Sequence, residues 1–454
     1  MSNISSLQHR RKSLPGGGQV VVLETGAQIN PESEAMLQAL HSRSTDGIDG
    51  HLTILEEKGS EKFMSTFYVG YGHKSIGDCG SATVFIEGVS MLAAKAIQDW
   101  KLYSGQESST RYIDFARQAF VNPAGNDAGT SIHEAWREFY LRGVALMKEK
   151  LEGRFPIQPE EKEAVYKKAI AARAFDIMRG FLPAGATTNL AWHGNLRQFA
   201  DKLTWLRHHP LPEVQTIAHT IEETLLEAFP NSFSTKRYDE TEAYTRTMMQ
   251  EHYYYHDASS PDFALVRNSI DAERLRTERV ILETRPPKTE LPKWIGLCGE
   301  LEFAFTLDFG SFRDLQRHRA ITQRMPLLTS DLGFMEWYLE ELEPELRADA
   351  QEIITHQKNA TDNLSLNPEE KQYYLPMGYK TSNRFCGDLP SLVYLVELRA
   401  TRFVHQTLRK RAQQMARALT DTFGDTGLVV HLDADPDRFD VKRGEHDIIL
   451  KPST

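Results

Sequence analysis

Two stretches far apart in the chain hold the densest sets of chemically able side chains. In SGQESSTRY (residues 104–112), Ser104, Ser109 and Arg111 place two hydroxyls and a guanidinium close together. That set suits a phosphate monoester, because hydroxyls donate singly and arginine donates as a fork. A surface turn with a capping serine is the plain alternative, with Glu107 as no more than a local ion-pair partner of Arg111. In RHR, Arg317 and Arg319 flank His318. Such a run of donors repels itself unless an anion lies nearby; the plain alternative is an exposed basic helix end.

The remaining reactive side chains point to less. Cys79, Cys298 and Cys386 are scattered and odd in number, so they give neither a disulfide framework nor a metal spacing. A nucleophilic cysteine needs positive neighbours that favour the thiolate, and only Cys386, near Arg384, has one. All three are expected to be buried structural residues. HYYYH (residues 252–256) has two imidazoles at the helix spacing of metal ligands. No third ligand accompanies them, so an aromatic packing cluster is expected and no metal. His208, His209 and Pro210 read equally as site lining or as a helix-ending turn. The acidic runs at 161–163 and 336–349 read as solvated helix faces.

These residues belong to an imperfect repeat. The first copy reads GHKSIGD (72–78), SGQESSTRY (104–112), then RGFLPAGATTN with NLR and LTWLR (179–207). The second reads LQRHRAITQR (315–324), then YYLPMGYKTSN with VYLVELRATR (373–402). LP-x-G-x-x-T at 182–188 matches LP-x-G-x-x-T at 375–381, and Trp205-Leu206-Arg207 matches Glu397-Leu398-Arg399. Asp99-Trp100-Lys101 stands where Arg317-His318-Arg319 stands. Each copy keeps what the other has lost. The period is far too long for a solenoid and reads as duplication of a whole domain.

The elements that must position these residues follow from pattern. Helices are expected at 89–100, 213–229 and 389–423, and β-rich runs at 83–87 and 428–431, which gives an α+β class. Residues 1–18 are polar and basic and read as a flexible arm. The first copy spans 19–231, a turn-rich linker 232–262, and the second copy 263–454. Residues 283–292, with three prolines, stop regular structure. At 454 residues, 40% hydrophobic and 26% charged, the chain suits two globular domains. It shows neither an apolar run long enough for a membrane span nor a signal-peptide pattern, and a cytoplasmic protein is expected. A net charge of -10 argues against a general nucleic-acid surface, though local basic clusters can hold one phosphate.

The ordered series GH-x-S, apolar strand, RHR with its Ser/Arg half, R-x-x-LP, N-x-R and LR resembles the flavin-dependent thymidylate synthases. The resemblance covers most of both copies and implies a mainly antiparallel sheet with long helices. It implies FAD held by His73, Ser75 and Asp78 of the first copy, by Arg317, His318 and Arg319 of the second, and by Asn195 and Arg197 at N-x-R. It implies dUMP held by Ser104, Glu107, Ser109, Arg111 and Arg179. Arg207 or Arg399 would stabilise negative charge on the uracil ring, and which of them does so stays open. NADPH and methylenetetrahydrofolate are the implied co-substrates, with reductive methylation giving dTMP.

The chain also departs from the family pattern. The first copy lacks RHR, and the second has Leu327, Thr329 and Ser330 in its Ser/Arg half. Gln372, Asp388 and Pro390 stand in the second copy where Arg179, Asn195 and Arg197 stand in the first. One extra residue separates Asn195 from Arg207. The family is homotetrameric with sites shared between subunits, so a fused pair implies a homodimer forming a pseudo-tetramer. Two alternatives stand beside this: a non-catalytic nucleotide-binding or scaffolding descendant, and the same chemistry on another pyrimidine nucleotide.

Overall fold

The computed structural model describes residues 9–15, 17–23, 30–42, 47–70, 72–110, 113–234 and 236–434. They fall into two compact units. Unit one takes its residues from Met1–Ile113, Gln118–Val121 and Ala186–Tyr253, and unit two from Asp114–Arg117, Asn122–Gly185 and Tyr254–Thr454.

Unit one is built on a five-stranded antiparallel sheet of β1 (His9–Ser13), β2 (Gln19–Leu23), β3 (Ser81–Ser90), β4 (Ser104–Glu107) and β5 (Thr187–Asn195), in the order β1-β2-β3-β5-β4. In β3 the buried Ala82, Val84 and Ile86 alternate with half-exposed Thr83 and Phe85, the two-residue period of a strand. A bulge interrupts its register between Ile86 and Val89, where Gly88 has φ +67°, a conformation that favours glycine. The strand ends at Ser90, whose hydroxyl accepts from Ala93 N–H and so caps the wholly buried helix Met91–Gln98. Asn195 ends β5 and caps the helix Leu196–Leu206 in the same way, by accepting from Gln198 N–H.

Unit two holds β6 (Tyr254–Tyr255), β7 (Phe263–Asn268), β8 (Glu300–Asp308), β9 (Thr322–Gln323), β10 (Met325–Pro326) and β11 (Lys380–Asp388). Its four-stranded antiparallel sheet runs β7-β8-β11-β9, the order of β2-β3-β5-β4 in unit one. Strands β6 and β10 pair separately and in parallel. Asp308 ends β8 and caps the helix Phe309–Leu315, while Asp388 ends β11 and caps Leu389–Arg399. Strand ends and caps thus recur at the positions aligned in the sequence repeat.

The two LP-x-G segments meet inside unit two. Ala184 N–H donates to Leu375 O and Met377 N–H to Leu182 O, both at 2.9 Å. Gly185 N–H donates to Tyr373 O at 3.0 Å and Gly378 N–H to Gly180 O at 2.7 Å. Pro183 and Pro376 form the bridge between them. Each residue bonds the counterpart of its own counterpart's partner, the reciprocity of a two-fold contact between identical surfaces.

Several expectations change. The arm is not irregular throughout, because residues 9–13 form β1; residues 1–8 lie outside the described residues. The linker 232–262 contains a 14-residue helix, Asp239–His252, and strand β6; its polarity reflects a mostly solvent-facing helix. The first expected helix begins at Met91 rather than 89, since Val89 and Ser90 complete β3. The long helix at 389–423 is two, Leu389–Arg399 and Gln406–Phe423. Residues 428–431 form no strand; Val429 O and the His431 N–H are instead taken up by Arg285 and Glu397. Residues 122–185, part of the first copy by sequence, pack within unit two, where the helix Asp127–Arg154 lies against Glu163–Met178 and Pro344–Asp362. Among the described residues, no helix is long and apolar enough to cross a membrane.

Candidate functional site

In unit two, the charges of four guanidiniums act on the Asp314 carboxylate. Arg179, at the first position of a short 3-10 turn (Arg179–Phe181), is buried and reaches Asp314 at 4.0 Å. Arg317 lies 3.8 Å from the other carboxylate oxygen. Arg399 donates from Nη2 to the Asp314 carbonyl at 2.8 Å and from Nε to His318 Nε2 at 2.8 Å. Burial opposes ionisation of Asp314, but Arg179, Arg317, Arg399 and Arg313 together hold its pKa below the ordinary carboxylate value. Burial, and then the Arg399 charge, push His318 down to about 3. Its ring is therefore neutral, with Nε2 as acceptor and the proton on Nδ1. Burial also lowers Arg399 below the usual arginine range. Arg317 and Arg319 are exposed on the turn after Phe309–Leu315, while His318 turns inward against the edge of Tyr394.

Four residues singled out from sequence, Arg179, Arg317, His318 and Arg399, are thus brought together in unit two. Asp314, which gathers them, was missed, although it lies three residues before Arg317 on the same helical turn, the spacing at which side chains meet.

Unit one holds the others in separate groups. Asp78 accepts from Asn195 Nδ2 at 3.1 Å and from Arg197 Nη1 at 3.0 Å, which joins the GH-x-S segment to N-x-R. Asp78 is the first cause raising the Arg197 pKa. His73 precedes the short helix Lys74–Gly77, and both His73 and Ser75 are exposed. Ser104 and Ser109 are exposed, whereas the Glu107 side chain is 2% exposed and pairs with buried Lys95 at 2.9 Å, with Gln98 Nε2 also donating to it. Arg111 and Tyr112 lie outside the described residues.

Arg207 does not resemble its aligned counterpart. It caps the helix Leu196–Leu206 and is buried, donating to Glu222 at 3.1 Å and Glu242 at 2.8 Å. His208 also binds Glu242, at 2.7 Å, and His209 is buried. Where the second copy has RHR, the first has a closed cation–aromatic group. Trp100 and Trp205 meet edge to face at 5.4 Å, and the Lys202 ammonium lies 5.7 and 5.8 Å from their centroids. Lys202 donates to the Asp99 carbonyl at 2.7 Å, and burial lowers its pKa to about 8.

No thiolate is favoured at neutral pH. Burial raises Cys79, Cys298 and Cys386 alike. Cys298 is buried as expected, but Cys79 and Cys386 are half-exposed, because Cys79 lies on the turn after a short helix and Cys386 on the less covered face of the inner strand β11. In HYYYH the helix ends at His252, so the two imidazoles do not share a helix face. Tyr253 packs on His209, and His256 binds Asp331. Among the described residues no group of His, Cys, Asp or Glu could hold a metal ion.

The comparisons with known proteins bear on this geometry. Residues 27–231 match the family described as thymidylate synthase complementing protein. A UPF0159 protein of Chlamydia muridarum is 26% identical over 407 residues, covering 76% of each chain. UPF0159 protein Ta1429 of Thermoplasma acidophilum is 24% identical over 432 residues, covering 79% of this chain and 86% of its own. The solved structure of thymidylate synthase X from Helicobacter pylori, with FAD and dUMP, is 16% identical and covers 49% of this chain and 96% of its own. Its TM-score is 0.25, and at that score the likeness carries no argument. Over residues 27–231, somewhat under half of its length, the chain is similar to the thymidylate synthase complementing protein family.

Proposed function

We propose that this protein is a flavin-dependent thymidylate synthase-like enzyme that converts dUMP to dTMP by reductive methylation, with methylenetetrahydrofolate as carbon donor and NADPH as reductant through FAD. The observation that carries the reading is the gathering of the Arg179, Arg313, Arg317 and Arg399 charges around the Asp314 carboxylate, with Arg179 Nε buried and without a hydrogen-bond partner. An excess of fixed guanidinium donors fits phosphate and anionic heterocycle oxygens. FAD, when bound, would supply the redox chemistry, and no cysteine here is activated as a nucleophile.

The chain's own residues position and stabilise charge. Arg179 takes the dUMP phosphate, and Arg317, His318 and Arg319 take FAD. Within unit one, the resemblance assigns Asp78, Asn195 and Arg197 to flavin and Ser104, Ser109 and Arg111 to nucleotide, whereas Glu107, also assigned to nucleotide, is engaged by Lys95. Arg399 is the arginine that faces the ring. Its hydrogen bonds, among the described residues, go to neutral acceptors, so its charge is available to an anion developing at N3 and O2. Arg207 is already neutralised by two carboxylates. The shared strand order, the repeated caps and the reciprocal LP-x-G contact support descent by tandem duplication, and with it a homodimer acting as a pseudo-tetramer; a monomeric mass in light scattering would count against that assembly.

The closed Trp100–Lys202–Trp205 group favours a second reading, a descendant that binds nucleotide without turnover. The visible spectrum of the purified protein, before and after dUMP, separates the two. Bound flavin perturbed by dUMP, followed by dTMP formation with folate and NADPH, is the expected result. A colourless protein that takes up no added FAD would overturn the synthase reading.

A further inference from the structure

Behind Arg179 lies a buried polar chain that the chemistry above does not use. Arg179 Nη2 donates to Ser311 Oγ at 3.1 Å. Ser311 Oγ lies 2.7 Å from Thr407 Oγ1 and 3.3 Å from His405 Nδ1, and Thr407 Oγ1 lies 2.9 Å from His405 Nδ1. His405 Nε2 lies 3.1 Å from the carbonyl oxygen of Asp176. Ser311, Thr407 and His405 are all buried, and Trp337 and Tyr338 pack their rings on the imidazole.

The donors and acceptors can be ordered. A carbonyl only accepts, so His405 Nε2 carries a proton and, in the neutral ring, Nδ1 accepts. Thr407, the nearer of the two hydroxyls, then donates to Nδ1, and Ser311 donates to Thr407. This leaves the Ser311 lone pairs for the Arg179 guanidinium, which can only donate. The chain is satisfied at every link, as a buried polar network must be. It begins at Arg179 and ends on the backbone one helical turn before it. In the repeat, Gln372 stands at the position of Arg179 and Ala93 at that of Ser311, since Ser90 and Asp308 are the matching caps. Guanidinium and hydroxyl are therefore absent together.

We propose that Ser311, Thr407 and His405 are positioning residues that aim Arg179 at the phosphate of the nucleotide, a role that rests on the function proposed above. The network fixes the guanidinium through its Nη2 edge and leaves Nε for the ligand. Thr407→Val removes the central hydroxyl at nearly constant volume, and Thr407→Ser restores it.

The test is calorimetric titration of the full-length, FAD-loaded protein with dUMP and with deoxyuridine, which lacks the phosphate. Thr407→Val, and Ser311→Ala as a second variant, should weaken dUMP at least tenfold while leaving deoxyuridine binding and flavin content unchanged. Thr407→Ser should stay within about twofold of wild type. Unchanged dUMP binding in Thr407→Val and Ser311→Ala, or equal loss of both ligands, would overturn the proposal. If the wild-type protein binds no dUMP, the proposed function fails first, and the network is judged without ligand by nitrogen NMR of His405. A proton on Nε2 with bare Nδ1 supports the ordered chain, and a proton on Nδ1 with bare Nε2 overturns it.

Discussion

The two aligned arginines, Arg207 and Arg399, should respond in opposite ways to replacement by methionine. Arg207 is buried and makes charge-assisted hydrogen bonds to Glu222 and Glu242. Such bonds contribute about 1.5–3 kcal/mol each. Both carboxylates keep a second partner, Arg237 at 2.7 Å for Glu222 and His208 at 2.7 Å for Glu242, so neither becomes an isolated buried charge. The low end of the range applies, and Arg207→Met should destabilise unit one by about 3 kcal/mol. Arg399 bonds a neutral imidazole and a carbonyl, and its own burial disfavours its charge. Replacing it should change stability by no more than about 1 kcal/mol while abolishing turnover and weakening dUMP. Urea unfolding followed by tryptophan fluorescence reads the first effect, since Trp100, Trp192 and Trp205 lie in unit one and Trp136, Trp294 and Trp337 in unit two. Arg207→Met at wild-type stability but without activity would show that the assignment of the two arginines is reversed.

Acid should destabilise the protein before any carboxylate titrates. Burial holds His133 down to about 4 and His318 to about 3, against 6.5 for the model group. Between 6.5 and those values the unfolded chain binds more protons, so stability falls as pH drops. At pH 5 these two groups together remove roughly 4 kcal/mol. The urea midpoint should therefore drop between pH 7 and 5, and an invariant midpoint would refute the buried neutral state. Lys202 gives a slope of the same sign at alkaline pH. With a folded pKa of about 8 against 10.5 for the model group, it makes unit one more stable as pH rises from 8 towards 10.5. Because its ammonium faces Trp100 and Trp205, tryptophan fluorescence should titrate near pH 8 in the wild type and not in Lys202→Met.

The repeat was legible because its markers are local. LP-x-G-x-x-T places its own turn, and Ser90, Asn195, Asp308 and Asp388 cap helices through hydrogen bonds to residues three further on. The α+β class followed from the same short-range signals, whereas the antiparallel sheets were implied by the family resemblance. What could not be read depends on contacts between distant residues. Strand β1 looks like a polar arm until β2 pairs with it. The helix Asp239–His252 shows little apolar stripe, and Arg207 and Arg399 sit in similar text yet face different partners. The assembly of Arg179 with Arg317, His318 and Arg399 needed the resemblance, because nothing near Arg179 in sequence predicts Asp314 as the shared anion. Ser311, Thr407 and His405 left no signal, since buried serine and threonine are common helix-end residues.

The two copies also differ in how their cations are satisfied. Around Asp314 in unit two, three guanidiniums of the second copy and Arg179 of the first surround one carboxylate, so positive charge remains for a ligand. In the first, Lys202 is tied to the Asp99 carbonyl and covered by Trp100 and Trp205, so the equivalent place needs no ligand. Under the proposed function, a copy relieved of binding can be packed for stability while the charge cluster of the other is kept for a ligand. Restoring the triplet in the first copy, as D99R/W100H/K101R, should therefore create no second site. It removes the Trp100 ring from Trp205 and Lys202, and loss of a large aromatic side chain costs about 3 kcal/mol or more. The triple variant should unfold at lower urea, with flavin per chain unchanged from wild type. A doubled flavin content would show that the first copy kept a competent pocket, and that sequence at the triplet alone had closed it.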